Sequence, residues 1–157
     1  MYCLDKNLEE IELHETVEAA LVIAKDRLAL KKIEVSTNFL REKIYIMGDS
    51  KGMQTALLNI IINAVEAMEE GKGKLAIEVI SRHHKVSVKI HDNGGGIPPE
   101  NMAYLFQPYY TNKKNGLGLG LATTQSVIAA HKGVIEVESN VGKGTVFTIT
   151  LESLNNK

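Results

Sequence analysis

At 157 residues the chain has the length of one domain and enough residues to bury a real core. Apolar residues make up 44%, charged residues 24%, and the formal net charge is −1; this excludes a disordered segment and leaves no basic field to attract nucleic acid. No apolar run is long enough to cross a bilayer, and the one cysteine, Cys3, excludes an internal disulfide, so a reducing, cytoplasmic setting without direct membrane contact is expected.

Leu8 to Leu13 alternates apolar and acidic residues as a short edge strand does. From Glu15 to about Leu30 the set Val17, Ala20, Leu21, Ala24 and Leu28 recurs at helical spacing. Ile33 to Phe39 and Lys43 to Met47 read as strands, joined by a charged turn from Leu40 to Lys43. Asp49 or Ser50 can cap a second helix that runs to about Glu70 and stops at Gly71-Lys-Gly73. Leu75 to Ile80 and Val86 to Ile90 alternate as two strands around a turn from Ser81 to Lys85. An irregular stretch from Asp92 to about Gly116 contains all three prolines. A third helix is expected from about Leu119 to His131, ended by Gly133, and two strands, Val134 to Glu138 and Thr145 to Leu151, follow. Three helices against a mostly antiparallel sheet make an α+β two-layer sandwich.

Three segments carry chemistry. On the second helix Thr55, Asn59, Asn63 and Glu66 fall at spacings of four, four and three, so they form one polar stripe on an otherwise apolar helix. The stripe faces either solvent or a cleft; in a cleft, the Asn63 amide oxygen suits a hard cation such as Mg²⁺, which retains waters and substrate phosphates as its other ligands. In Asp92-Asn-Gly-Gly-Gly-Ile-Pro-Pro99, glycines let the backbone approach a ligand, and an ionised Asp92 can accept a hydrogen bond from an exocyclic amine such as that of adenine. Gly116, Gly118 and Gly120, with Leu117 and Leu119 between them, lead into a helix whose first N–H groups can meet phosphate oxygens, and Lys113 stands just before them. The run is neither a Walker loop, since no Gly-Lys-Ser/Thr follows, nor a dinucleotide fingerprint.

Taken in order, these motifs resemble the GHKL ATPase/kinase superfamily. Asn59-Ile-Ile-Ile-Asn-Ala-Val-Glu-Ala-Met68 is similar to its N box, Asp92-Asn-Gly-Gly-Gly-Ile-Pro98 to its G1 box and Gly116-Leu-Gly-Leu-Gly-Leu-Ala122 to its G2 box. Gly142-Lys-Gly-Thr-Val-Phe147 resembles the closing G3 motif, and Leu105-Phe-Gln-Pro-Tyr-Tyr-Thr-Asn-Lys113 the F box of bacterial sensor histidine kinases. The resemblance covers nearly the whole chain. It implies a Bergerat fold holding ATP between the N-box helix and a lid, here about Tyr104 to Leu117, with Phe106 and Tyr109 anchoring the lid. It implies that Asn63, supported by Asn59, holds Mg²⁺ and that Asp92 reads adenine beside Ile97 and Thr145. Gly94 and Gly96 would shape the base pocket, while Lys113 and the backbone from Gly116 to Gly120 would meet the phosphates.

Hydrolysing members of the superfamily carry a glutamate four residues before the metal asparagine, where this chain has Asn59. An amide cannot take a proton from water at neutral pH, so transfer to a histidine is expected rather than hydrolysis. Many histidine kinases have a basic residue where Glu66 stands, and this form of the N box is similar to nitrogen-regulatory sensor kinases. The phosphoacceptor histidine and dimerisation helices are expected on a separate domain, with a response regulator downstream. A non-catalytic ATP-dependent binding module is the alternative. His14-Glu15 lacks the Arg/Asn-x-Pro of an acceptor box and reads as a surface residue at a helix start. His83 and His84 read as turn residues, His91 as packed under the glycine loop and His131 as a helix-end charge.

Overall fold

The computed structural model describes residues 8–107 and 120–155. In chain order the elements are β1 (Glu9–Glu12), α1 (Leu13–Leu30), β2 (Glu34–Asn38), β3 (Tyr45–Gly48), α2 (Ser50–Ala67), β4 (Lys74–Arg82), β5 (Lys85–Asp92), α3 (Pro99–Met102), α4 (Gly120–Ala130), β6 (Val134–Asn140) and β7 (Gly144–Glu152). β1 and β3 form a two-stranded antiparallel ribbon, and the remaining strands form one sheet in the order β2-β4-β5-β7-β6. Only β2 and β4 pair in parallel, which requires a crossover, and α2 lies in that connection. With the helices packed on one face, this is the α+β two-layer sandwich expected from the alternation of patterns.

Register explains the core. Ile77 stands opposite Ile90 and Ile90 opposite Phe147; Val79 stands opposite Val88 and Val88 opposite Ile149. All of these are buried, each stabilising the fold by roughly 1.5–3 kcal/mol relative to exposure. The rows do not end in apolar residues. Beyond Ile90 the same face carries Asp92, and beyond Phe147 it carries Thr145; the two are direct cross-strand partners and both are buried. The opposite face is polar, bearing Glu78, Lys89, Thr148 and Glu138 around a shallow groove. His91 lies exposed on that face, not under the glycine loop as expected, because a strand alternates and Asp92 takes the inward position.

α2 is apolar over most of its surface because it is enclosed: α1 and α4 flank it and β5 lies beneath. Met53, Leu57, Ile60 and Ile61 are fully buried. α1 begins two residues before the expected start, because the Glu12 carboxylate accepts from the Glu15 N–H (2.8 Å) and supplies a cap outside the usual residue set. α2 stops three residues short of Glu70. There the Lys31 ammonium donates to the carbonyls of Val65 (2.9 Å) and Met68 (2.8 Å), satisfying backbone that would otherwise continue the helix. Asp49 is the N-cap of α2 by backbone conformation, yet its side chain makes no capping bond.

His14 is a correction. It is buried with its ring stacked on Phe39 (centroids 4.8 Å apart, planes 2° apart), so it is a packing residue and not a surface one. His83 and His84 form the exposed turn between β4 and β5, as expected, although both strands run further into it than their apolar patterns indicate. The one-turn helix α3 interrupts the stretch expected to be irregular, starting at Pro99, where a proline costs no hydrogen bond.

The ends of α1 and α4 share one geometry. Ile33 donates to the Leu28 carbonyl and Lys32 to that of Ala29; Gly133 donates to Ile128 and Lys132 to Ala129. These are Schellman endings, and in both the left-handed residue is a lysine, Lys32 (φ +53°) and Lys132 (φ +60°). Gly133 therefore does not end α4 through a left-handed turn, as expected. It is needed for close approach, since a Cβ there would come within 2.8 Å of the Thr150 carbonyl oxygen and 2.7 Å of the Leu151 side chain.

Replacing Lys32 or Lys132 with glycine removes the left-handed strain and should stabilise the domain by about 1 kcal/mol each. Gly133→Ala should destabilise it by a similar or larger amount. Urea midpoints at unchanged slope check both signs.

Candidate functional site

The buried Asp92–Thr145 pair opens onto residues 93–97, and three walls hold that loop. The Asp92 carboxylate accepts from the Gly94 N–H (2.8 Å), closing a tight turn directly after β5. Asn93 fastens the loop to the start of β4: its Oδ1 accepts from the Lys74 N–H (2.8 Å) and its Nδ2 donates to the Lys72 carbonyl (3.1 Å). Gly95 donates to the Ala67 carbonyl at the end of α2 (3.3 Å) and accepts from the Gly142 N–H in the β6–β7 turn (2.8 Å).

These contacts leave no room for a side chain at Gly94 or Gly96, whereas Gly95 faces open space. A Cβ on Gly94 would come within 2.5 Å of the Ala67 carbonyl oxygen. One on Gly96 would collide with the Asn140 carbonyl, and one on Gly144 with that of Asp92. Gly96 also has φ +79°, which other residues adopt at a cost. Ile97, buried, follows with its N–H donated to the Ser139 hydroxyl (2.7 Å).

The α2 stripe forms a second border. Asn59, Asn63 and Ala67 stand at i, i+4 and i+8, spanning about 12 Å along the helix. At one end the Asn59 Nδ2 donates to the Gly120 carbonyl, the first residue of α4 (3.2 Å). At the other, Ala67 meets Gly94 and Gly95. Asn63 is half-buried and lies midway between these two contacts, whereas Thr55 and Glu66 of the same stripe are exposed. Gly120 is also held by Thr124, whose buried hydroxyl donates to the Gly120 carbonyl (2.8 Å) and lies 3.5 Å from that of Ala56. Phe106 packs partly buried against the core. Tyr109, Lys113, Gly116, Leu117, Gly118 and Leu119 lie outside the described residues.

One residue of the site, Ser139, is not singled out by sequence. Ser139 bonds Ile97, Gly144 and Thr145 together. Its signal was a lone polar residue in the inward row Ile135, Val137, Ser139 of an alternating strand. His131 accepts the Asp49 N–H at Nε2 (3.0 Å), and its Nδ1 lies 2.8 Å from the Val127 carbonyl. It joins the end of α4 to the start of α2 as a hydrogen-bonding fastener, not as the helix-end charge expected. Among the described residues no group of three or more His, Cys, Asp or Glu side chains could cage a metal. No described helix is long and apolar enough to cross a membrane.

The family described as histidine kinase-, DNA gyrase B- and HSP90-like ATPase matches residues 48–155. Sporulation kinase A of Bacillus subtilis (strain 168) is 34% identical over 142 residues, which are 90% of this chain and 23% of that protein. Among solved structures, the mycobacterial sensor histidine kinase MprB superposes with a TM-score of 0.84 at 26% identity, covering 93% of this chain and 97% of that one. The catalytic domain of histidine kinase ThkA gives 0.84 at 28%, covering 93% and 95%. ThkA in complex with response regulator protein TrrA gives 0.79 at 27%, covering 92% and 41%. The chain spans between about a quarter and a third of the length of the curated relatives it matches.

Because the loop is walled by backbone, Gly96→Ala should lower stability by about 1–3 kcal/mol and speed hydrogen exchange at the amides of Gly95, Ile97 and Gly142. Amides in the middle of β4 and β5 should keep their protection. Retained protection at Gly142 in the variant would show that the walls tolerate a side chain.

Proposed function

The chain belongs to the histidine kinase-, DNA gyrase B- and HSP90-like ATPase family, among its histidine kinases, and from that premise we propose that it binds Mg²⁺-ATP and passes the γ-phosphoryl group to a histidine on a separate dimerisation domain. The observation that carries this reading is the buried Asp92–Thr145 pair at the mouth of a glycine-walled loop, with half-buried Asn63 one helical turn before the Ala67 carbonyl that meets that loop. Residues 1–157 are taken as one catalytic unit with its lid at 104–117.

Asp92, an acceptor when ionised, suits the exocyclic amine of adenine, and Ile97 supplies an apolar wall. Gly94 and Gly96, closed against Ala67 and Asn140, would shape the pocket by fixing the loop beside which the ring lies. Lys113 and the backbone N–H groups from Gly116 to Gly120 are proposed to hold the phosphates at the start of α4. The donor suits Mg²⁺: Asn63 offers one hard oxygen, as befits an ion held mainly by phosphates and water. When bound there, it would neutralise charge developing on the phosphoryl oxygens.

Two features favour transfer over hydrolysis. Asn59 stands where hydrolysing relatives place a glutamate base, and its amide N–H is given to Gly120. The five histidines of the chain are also poor acceptors. His14 is stacked and buried, His131 is engaged at both nitrogens, and His91 is on the far face of the sheet. His83 and His84 are at the other end of the β4–β5 hairpin, about 25 Å along the strands from Asp92. An acceptor supplied by another domain is thus favoured. A response regulator as the next recipient follows the partner named for ThkA.

Calorimetry should give Mg²⁺-ATP affinity in the micromolar to millimolar range, about 4 to 8 kcal/mol. Asp92→Asn should weaken it by about 1.5–3 kcal/mol, whereas Asn63→Ala should chiefly reduce its dependence on Mg²⁺. Equal affinity for ATP and GTP would sink the base-reading role of Asp92.

Incubated alone with Mg²⁺-ATP, the chain should release little phosphate and form no phosphohistidine on itself. Given its matching histidine-bearing helical hairpin, it should label that partner, and Asn63→Ala should abolish most of the label. Brisk hydrolysis lost in Asn63→Ala would instead favour an ATPase. ATP binding without transfer to the hairpin would favour a non-catalytic binding module.

A further inference from the structure

We propose that Ser139 sets the base selectivity of the pocket by taking the hydroxyl proton of Thr145, so that Thr145 presents only lone pairs to a bound base. The proposal rests on the reading of Asp92 and Thr145 as base contacts. A serine hydroxyl has one proton and two lone pairs. Around the Ser139 Oγ stand the Ile97 N–H at 2.7 Å, the Gly144 carbonyl at 3.1 Å and the Thr145 hydroxyl at 2.8 Å. The Ile97 N–H can only donate and the Gly144 carbonyl can only accept. If all three bonds are made, the Ser139 proton goes to Gly144, and its remaining lone pair takes the proton of Thr145. The direction of the Ser139–Thr145 bond is therefore set by the other two.

The consequence falls on the neighbouring residue. Thr145 is buried, lies directly opposite Asp92 in the β5–β7 register and shares its face of the sheet. A free threonine hydroxyl turns to donate or accept as a ligand requires. This one cannot donate while Ser139 holds its proton. Beside the acceptor Asp92 it extends an edge that accepts only. At position 6 such an edge suits an amine and opposes a carbonyl; at N1 the order reverses, adenine accepting and hypoxanthine donating, so Thr145 acts beside Asp92 at position 6. Ser139 would be a positioning residue, acting on the base through Thr145.

Binding of ATP and ITP in Mg²⁺ by the chain tests this, since the two bases differ at position 6 and in the proton at N1, without the extra amine of guanine. Wild type should prefer ATP. Ser139→Ala frees the Thr145 proton and should narrow the preference roughly tenfold, mostly by tightening ITP. Ser139→Thr should restore the wild-type ratio. In a Thr145→Val background Ser139→Ala should leave the ratio unchanged. A residue that merely held Ile97 in place would weaken both nucleotides alike; an unchanged ratio in Ser139→Ala, or the same shift with and without the Thr145 hydroxyl, overturns the proposal. Should Ser139→Ala not fold, Ser139→Cys, with its weak donor and acceptor, is read against the same expectations. Wild type binding neither nucleotide removes the base-pocket reading and the proposal with it; wild type preferring ATP with an unmoved ratio in the variants removes the proposal alone.

Discussion

Backbone touching backbone on both sides of residues 93–97 is the constraint on which the rest of the site depends. One wall is the end of α2 at Ala67, and the other is the β6–β7 turn from Asn140 to Gly144. Helix and turn are far apart in sequence, and the loop makes them neighbours. Lys31 holds the last carbonyls of α2, and Ser139 holds the loop to the strand ends. The position of Asp92 is thus set from three directions, with its carboxylate tied back to the Gly94 N–H. A polar group so enclosed is positioned before a ligand arrives, which reduces the ordering cost of binding.

The same logic gives Asn59 a physical role. Its amide donates to the Gly120 carbonyl, which also receives the Thr124 hydroxyl. A carboxylate at position 59 has no proton to give, and its oxygen would face the carbonyl oxygen across the same gap. The amide at position 59 therefore joins the start of α4 to the middle of α2.

The elements were legible because their periods are clean. The alternating rows of β4, β5 and β7 and the helical repeats of α1 and α2 reflect a sheet with one buried face and helices laid on it. What was not legible depended on partners distant in sequence. The end of α2 is decided by Lys31, the burial of His14 by Phe39 and the role of His131 by the N–H of Asp49. The glycine motifs were visible, but the reasons differ among them. Gly96 answers to both a backbone angle and a nearby carbonyl, whereas Gly133 answers only to its neighbours. Ser139 was hidden because a polar residue near a strand end resembles ordinary punctuation until its three partners are known.

β7, residues Gly144–Glu152, comes last of the strands but lies inside the sheet, paired with β5 on one edge and β6 on the other. Chain order and spatial order are at odds there. As the polypeptide leaves the ribosome, α1, α2 and the β4–β5 hairpin are all exposed while the inner edge of β5 still lacks its partner. Phe147 and Ile149, which complete the core, arrive only with that strand. Thr145 and the wall behind Gly96 come with the same stretch, so the site cannot precede the sheet. The domain consequently gains its cooperative stability in a late step, and until then its unpaired β5 edge is the surface on which aggregation or chaperone capture acts.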